Sequence, residues 1–286
     1  MDQLRERVEA SARYRLKKSF RSPLLLEALT ARALRTGFST AGDVTVVVTN
    51  WNTLPYLAVC LHAIRRFSPP DTSVVVVDNG SRDGSRSFLR RQRYAAARLL
   101  PVNIDHGPAM DLAFLVAETE YVVALDVDAF PLAPTWLDTL LAPIRSGDAT
   151  VSGVRVWRSY AHPCAMAMRR ERFVSRGHTF RARYRDEDLG MSAWGCGELI
   201  SLREHPRVAL VEPSGSLGPG NVGKWWAGIA YHNHYATRLR MPGGESVIRR
   251  EGASIDDPGQ VWRVAVRRFL DRDADDWESL LDELAP

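Results

Sequence analysis

An α/β fold on a Rossmann-like, mostly parallel sheet flanked by helices is what this chain predicts, and three observations predict it. Apolar, β-branched runs recur as VTVVVT (44–49), SVVVVD (73–78) and YVVALD (121–126), as buried strands require. Stretches of helical period separate them. Each run then breaks into polar residues, and in parallel sheets it is the carboxyl ends of the strands that line a ligand crevice.

Taken in order, residues 1–36 read as helical with a break near Pro23, and 37–42 make a glycine-bounded linker. After the first strand, 54–67 has the apolar spacing of an amphipathic helix. The second strand leads to an arginine-rich helix expected to reach about residue 98, then to a short strand over 99–102. A helix over 108–118 precedes the strand that closes at Asp126.

With 286 residues, 45% of them hydrophobic and 25% charged, the chain can bury a sizeable core. It holds no apolar run of the roughly 18 residues that a membrane span needs. Its opening, MDQLRERVEASARYRLKK, is charged where a secretory leader is apolar, so a cytoplasmic location is expected. Cys60, Cys164 and Cys196 are odd in number, scattered and free of any CxxC pair, which suggests neither a disulfide framework nor a zinc site. A formal charge of +4 is a weak bias. Basic residues crowd the first forty positions and 82–98, while the end, DRDADDWESLLDELAP, is acidic, a pattern of solvated helix faces rather than of a nucleic-acid surface.

Chemistry concentrates where the strands end. The first run passes into Thr49, Asn50 and Asn52, the second into Asp78, Asn79 and Ser81, and the last into Asp126 and Asp128. Residues i and i+2 of an extended chain point the same way, so Asp126 and Asp128 converge on one spot. Paired carboxylates of this kind hold a hard divalent cation and leave positions for phosphate oxygens. In YHNHYATR (231–238), His232 and His234 repeat the i, i+2 relation, with Arg238 nearby.

TNWN (49–52), VVVDNGSRDGS (75–85), NIDHGPAMDLA (103–113) and LDVDAFP (125–131) together resemble the family 2 glycosyltransferases of the GT-A fold, over about 43–240. The resemblance implies a helical extension at 1–42, a catalytic domain at 43–240 with a nucleotide-binding half (43–130) and an acceptor half (131–240), and a helical tail at 241–286. It implies that Asp78 accepts the N3–H of a uracil or thymine ring, while Thr49, Asn50, Asn52, Asn79 and Ser81 line the nucleotide pocket. Asp126 would meet ribose or metal, and Asp128 would ligate Mn2+ or Mg2+. A C-terminal histidine, His232 or His234, would complete the metal set, and Arg238 would clamp a phosphate, for which its planar fork is suited. The donor implied is a UDP-sugar, with a dTDP-sugar behind it. A general base for the acceptor is implied in RYRDEDLGMSAWGCGE (183–198): Asp188 first, then Glu187, then Asp186.

Two near-matches point elsewhere. GPGNVGK (218–224) has the spacing of a phosphate loop, but Trp225 follows where Ser or Thr should hold Mg2+. A glycine-rich lid is the expectation instead, with Lys224, Trp225 and Trp226 closing over donor or acceptor. QVWRV (260–264) approaches the QxxRW of processive synthases, but Val264 replaces the tryptophan, so one sugar per acceptor is expected. The acceptor could be a small molecule, lipid-linked or borne by a carrier protein, and the oppositely charged ends would suit a homodimer. A nucleotidyltransferase, or a sugar-nucleotide-binding protein without turnover, is the alternative on the same fold.

Overall fold

The computed structural model describes residues 42–286, apart from 157, 183, 187–190, 194, 238, 240–243, 251 and 285–286. The N-terminal extension therefore lies outside the described residues. The elements are β1 (Val44–Asn50), α1 (Leu54–Phe67), β2 (Ser73–Asp78), α2 (Ser85–Arg91), β3 (Ala96–Leu99), α3 (His106–Val116), β4 (Tyr121–Asp126), β5 (Ala129–Pro131) and α4 (Trp136–Arg145). There follow β6 (Val151–Val154), β7 (His162–Arg169), α5 (Arg170–Ser175), β8 (Tyr184–Asp186), β9 (Met191–Ala193), α6 (Glu198–Glu204) and β10 (Val208–Val211). The chain closes with β11 (Gly215–Ser216), β12 (Lys224–Trp226), β13 (Ala230–His232), α7 (Gly244–Arg250), α8 (Asp257–Leu270) and α9 (Trp277–Glu283).

Seven strands form the main sheet in the order β10-β6-β7-β4-β1-β2-β3. β1 runs parallel to β2 and β4, β2 to β3, and β6 to β10, whereas β7 lies antiparallel between β4 and β6. The valine runs divide by parity between its faces, since successive side chains of a strand alternate. Val46, Val48, Val74, Val76, Val123 and Leu125 meet Leu57, Leu61 and Ile64 of α1. Val47, Val75, Val77, Val122 and Ala124 meet Met110, Ala113 and Phe114 of α3 on the other side.

The arginine-rich helix is shorter than its composition predicts. α2 stops at Arg91 because Gln92 folds back, donating from Nε2 to Ala95 O (2.6 Å) and accepting the Ala95 N–H at Oε1 (2.7 Å). Residues 96–99 are thereby freed to pair with β2, three positions before the predicted strand. The C-terminal tail is helical as expected, but it is built into the core. Trp262 of α8 packs on Tyr56 with ring centroids 4.5 Å apart and on Phe130 at 5.5 Å, so α1 is covered on its outer side as well. The acidic end is answered locally by exposed pairs such as Arg263–Asp275 and Arg272–Glu283, which contribute little individually.

A buried ionic cluster ties α5 to α6 behind the sheet. Glu204, its side chain 2% exposed, takes a forked bond from Arg172 (Nη2 at 2.8 Å, Nε at 3.1 Å) and lies 2.7 Å from His178 Nε2. Burial by itself would raise the Glu204 carboxyl, but Arg172, Thr150 and His178 outweigh it and hold it down to about 2 from an ordinary 4.5. A depressed carboxylate contributes stability that is present above the unfolded value and lost as pH falls through the folded one. Glu204→Gln is therefore expected to flatten the fall in melting temperature between pH 4.5 and 2. At neutral pH the variant should lose about 3 kcal/mol, because Arg172 is left in a half-buried site without its counter-charge. Thermal unfolding across that range checks both, and a profile identical to the parent's would exclude the role.

Candidate active site

The carboxyl ends of β1, β2 and β4 lie side by side, with Asn50 level with Asp78 and Thr49 level with Asp126. Adjacent strands therefore carry the polar residues the sequence singled out to one edge. Most of them bind one another. Asp78, fully buried, accepts Asn50 Nδ2 at Oδ2 (2.9 Å) and the Ser81 N–H at Oδ1 (3.0 Å), with Arg86 3.6 Å away. Ser81 Oγ accepts Asn50 Nδ2 (3.2 Å) and the Asn52 N–H (2.9 Å), and Asn52 Oδ1 accepts the Arg82 N–H at 2.7 Å. Asn52 takes φ 54°, the left-handed region that asparagine tolerates, which lets this clasp close. Asn79 turns the other way: its amide accepts the Ile104 N–H and donates to Asn103 and Asp105, fixing the loop that enters α3.

Asp78 therefore organises the floor of the crevice from beneath. Asp78→Ala should cost about 3 kcal/mol, since it strips acceptors from Asn50 and Ser81 and a counter-charge from Arg86. An unchanged denaturation midpoint would show that the network is dispensable.

Asp126 ends β4, and Asp128 sits in the turn before β5. The turn replaces the extended geometry expected for this pair, yet the carboxylates still meet, because β5 pairs with β13 and sets His232 opposite Ala129. His232 Nε2 is 3.5 Å from Asp126 Oδ2 and 3.3 Å from Asp128 Oδ1. Asp128 is held from both ends: its carbonyl accepts the Asn233 N–H (2.8 Å) and its Oδ2 accepts the Ala236 N–H (3.0 Å). One ligand atom each from Asp126, Asp128 and His232 lies within 4.8 Å of the others. His234 stands apart from that group. Its φ of 86° takes it out of strand geometry, and its ring meets His232 edge-on with centroids 5.0 Å apart.

The donor set suits a hard or borderline divalent ion, with two carboxylates and one imidazole. A second observation agrees: the buried Asp126 Oδ1 has only the ion-pair contact of His106 Nε2, 3.3 Å away and outside good hydrogen-bond geometry. Buried acceptors are rarely left so. Burial would raise the Asp126 carboxyl, but His106, His232 and His162 outweigh it and hold it well below the usual range.

Two histidines of this site were not singled out in the sequence, although His106 lies in the NIDHGPAMDLA segment. His106 begins α3 and bridges two strand ends, its Nδ1 2.9 Å from Thr49 Oγ1 and its Nε2 facing Asp126. His162 begins β7, its Nδ1 3.9 Å from Asp126 Oδ2, and burial pulls it down to about 3. His106 has no partner at a recognisable spacing, and the i, i+2 pair of His162 with Cys164 lacks the CxxC spacing of a familiar metal motif. Only pairing of β4 with β7, and the entry of α3, brings them in.

The remaining predicted residues divide. Lys224 lies opposite His232 on β12, and its Nζ donates to Val156 O. Trp225 packs on Phe269 (centroids 5.9 Å apart) under Arg268, and Trp226 is fully buried. The glycine-rich stretch is thus packed rather than a free lid: a Cβ on Gly218 or Gly223 would meet Val261 of α8 at 2.7 or 2.4 Å. Glu187, Asp188 and Arg238 lie outside the described residues, and of Asp186 only the backbone, in β8, is described.

Comparison with known proteins gives the site a lineage. Residues 45–201, more than half of the chain, match the family described as Glycosyl transferase family 2. An uncharacterized glycosyltransferase of Nostoc sp. is 30% identical over 89 residues, which is 30% of this chain and 28% of that relative, so the chain matches little more than a quarter of its length. Solved structures are similar over most of the chain at low identity. Staphylococcus aureus TarS 1–349 in complex with UDP-GlcNAc has a TM-score of 0.49 and 14% identity, over 85% of this chain and 71% of that one. The Pyrobaculum calidifontis mannosyltransferase PcManGT in complex with GDP-Man and Mn2+ has a TM-score of 0.45 and 19% identity, over 96% of this chain and 84% of that one. Glucosyl-3-phosphoglycerate synthase of Mycobacterium tuberculosis in complex with phosphoglyceric acid gives 0.47 and 17%, over 85% and 82%. With its family match running from β1 into α6, and its acidic pair at the end of β4, the chain belongs to glycosyl transferase family 2 and carries the GT-A fold.

Proposed function

We propose that this protein is a metal-dependent, inverting glycosyltransferase that moves one sugar from a UDP-sugar, such as UDP-GlcNAc or UDP-glucose, to a small-molecule or carrier-bound acceptor. The observation that carries the reading is the convergence of Asp126, Asp128 and His232 beside the polar ends of β1 and β2. Asp126, Asp128 and His232 would hold Mn2+ or Mg2+, which neutralises charge growing on the departing diphosphate. Thr49 and His106, joined at 2.9 Å, form the wall between β1 and β4 against which the ribose and phosphates would lie. Asn50, Asn52 and Ser81 keep that wall rigid through their mutual bonds, so the pocket loses little freedom on binding. Base recognition by Asp78, as the resemblance implies, would require the entering ring to uncover a carboxylate that is fully buried and already accepts two bonds. Asp188 would take the proton of the acceptor hydroxyl on the side of the sugar away from the diphosphate. A single displacement of that kind inverts the anomeric centre.

Thermal shift with UDP, UDP-sugars, GDP-sugars and nucleoside triphosphates, each with and without Mn2+, tests the reading, because only ligands that prefer the native state raise its melting temperature. A rise that needs UDP and Mn2+ together is expected. Equal stabilisation by nucleoside triphosphates alone would favour a nucleotidyltransferase, and none with any nucleotide would remove the proposal.

A further inference from the structure

A second ligand group adjoins the acidic pair. His162 and Cys164 are two apart on β7, and so share a face of the sheet. The Cys164 N–H donates to His162 Nδ1 at 3.2 Å, which sets the ring beside the thiol, and a cation would take that lone pair in place of the hydrogen bond. The third member is His232, at the end of β13. One ligand atom from each of the three lies within 4.8 Å of the others. Cys164 is fully buried and the His232 side chain is 2% exposed, whereas His162 keeps 13%, so the group has one wetted edge from which water could supply a fourth ligand. Sugar transfer as proposed above uses neither His162 nor Cys164.

Imidazole, thiolate, imidazole is a softer set than carboxylate, carboxylate, imidazole. The first suits Zn2+ in tetrahedral geometry with one open position, the second Mg2+ or Mn2+. The two sets have His232 in common, and a neutral imidazole has one lone pair to give. We infer that His162, Cys164 and His232 form a site for a thiophilic divalent cation, Zn2+ above all, whose occupation takes His232 from the Asp126–Asp128 centre and so excludes the catalytic ion. The absence of a CxxC pair, which in the sequence spoke against zinc, is no obstacle, because the third ligand comes from a strand nearly seventy positions away. Binding converts the Cys164 thiol to thiolate and releases its proton to water. The ligand site stands on its own geometry, and only the exclusion rests on the transferase reading.

Co2+ serves as the probe, since a thiolate ligand gives it a charge-transfer band in the near ultraviolet. The full-length chain is expected to show that band with Co2+, to keep it in Asp128→Asn, and to lose it in Cys164→Ser. His162→Gln should weaken Zn2+, read by competition against a chromophoric chelator, by about tenfold or more. That variant decides the matter if Cys164→Ser does not fold. No band in the parent protein, or one that survives Cys164→Ser, overturns the site. Bound Mn2+ is followed separately by its paramagnetic resonance: Zn2+ should release it, and the Cys164→Ser protein should require about tenfold more Zn2+ for the same release. Mn2+ that stays bound at saturating Zn2+ overturns the exclusion. Mn2+ that never binds removes the transferase reading while leaving the Co2+ band to be judged alone.

Discussion

Asp128→Asn is expected to lower Mn2+ affinity, and with it sugar transfer, by at least about a hundredfold while the protein stays folded. Asparagine is the informative replacement. Asp128 Oδ2 accepts the Ala236 N–H, and an amide oxygen can still do so, whereas alanine would leave that buried donor unsatisfied. What asparagine removes is charge, in two places. The cation loses one of its two anionic ligands, and His232, which lies 3.3 Å from Asp128 Oδ1, loses a counter-ion. Burial alone would lower the His232 imidazole, but Cys164 and Asp128 outweigh it and raise it well above the ordinary value. Its proton must leave before the ring can coordinate, so Mn2+ affinity in the parent protein should also fall as pH is lowered. Titration calorimetry with Mn2+, with and without UDP, reads the loss, and circular dichroism checks the fold. Parent-like Mn2+ affinity would show that the ion, if it binds, sits elsewhere.

The parts of this arrangement that could be read from the sequence are those a single segment specifies. Val44–Asn50, Leu54–Phe67 and Ser73–Asp78 were legible because a strand buried on both faces must be apolar throughout and an amphipathic helix must repeat at its own period. The acidic pair was legible for the same reason, its two members being one residue apart. His106, His162 and Cys164 were not, because each belongs to a different element from the pair and reaches it only through tertiary pairing. The early end of α2 escaped notice too: the arginines that suggested a longer helix sit on either side of a turn that Gln92 closes with its side chain. The glycines of 218–223 read as freedom of motion, whereas two of them are there because Val261 leaves no room for a side chain.

Replacing Asp188 by Asn is expected to cut turnover by about 10²–10⁴ while leaving Mn2+-dependent UDP affinity unchanged. An acceptor hydroxyl is a poor nucleophile until its proton is drawn off, and a carboxylate serves only if it is free to receive that proton. Glu198 at the start of α6, the nearest acid in sequence whose side chain is described, is committed: its Oε2 accepts the Gly195 N–H at 2.8 Å, and its Oε1 lies 3.2 Å from Arg158. Glu187 and Asp188, between β8 and β9 in the chain, remain the acidic candidates of this segment beside Asp186. The asparagine keeps size and polarity, so a general effect on donor binding is not expected, and the two measurements separate the roles. A base also leaves its mark on pH dependence: the limb along which parent activity rises as a carboxyl deprotonates should vanish in the variant. Glu187→Gln provides the control, with donor binding and the acid limb both retained. Were Asp188→Asn to keep full turnover while Glu187→Gln lost it, the proton would pass to Glu187. Were both to remain active, the acceptor would have to be activated by a group outside this segment.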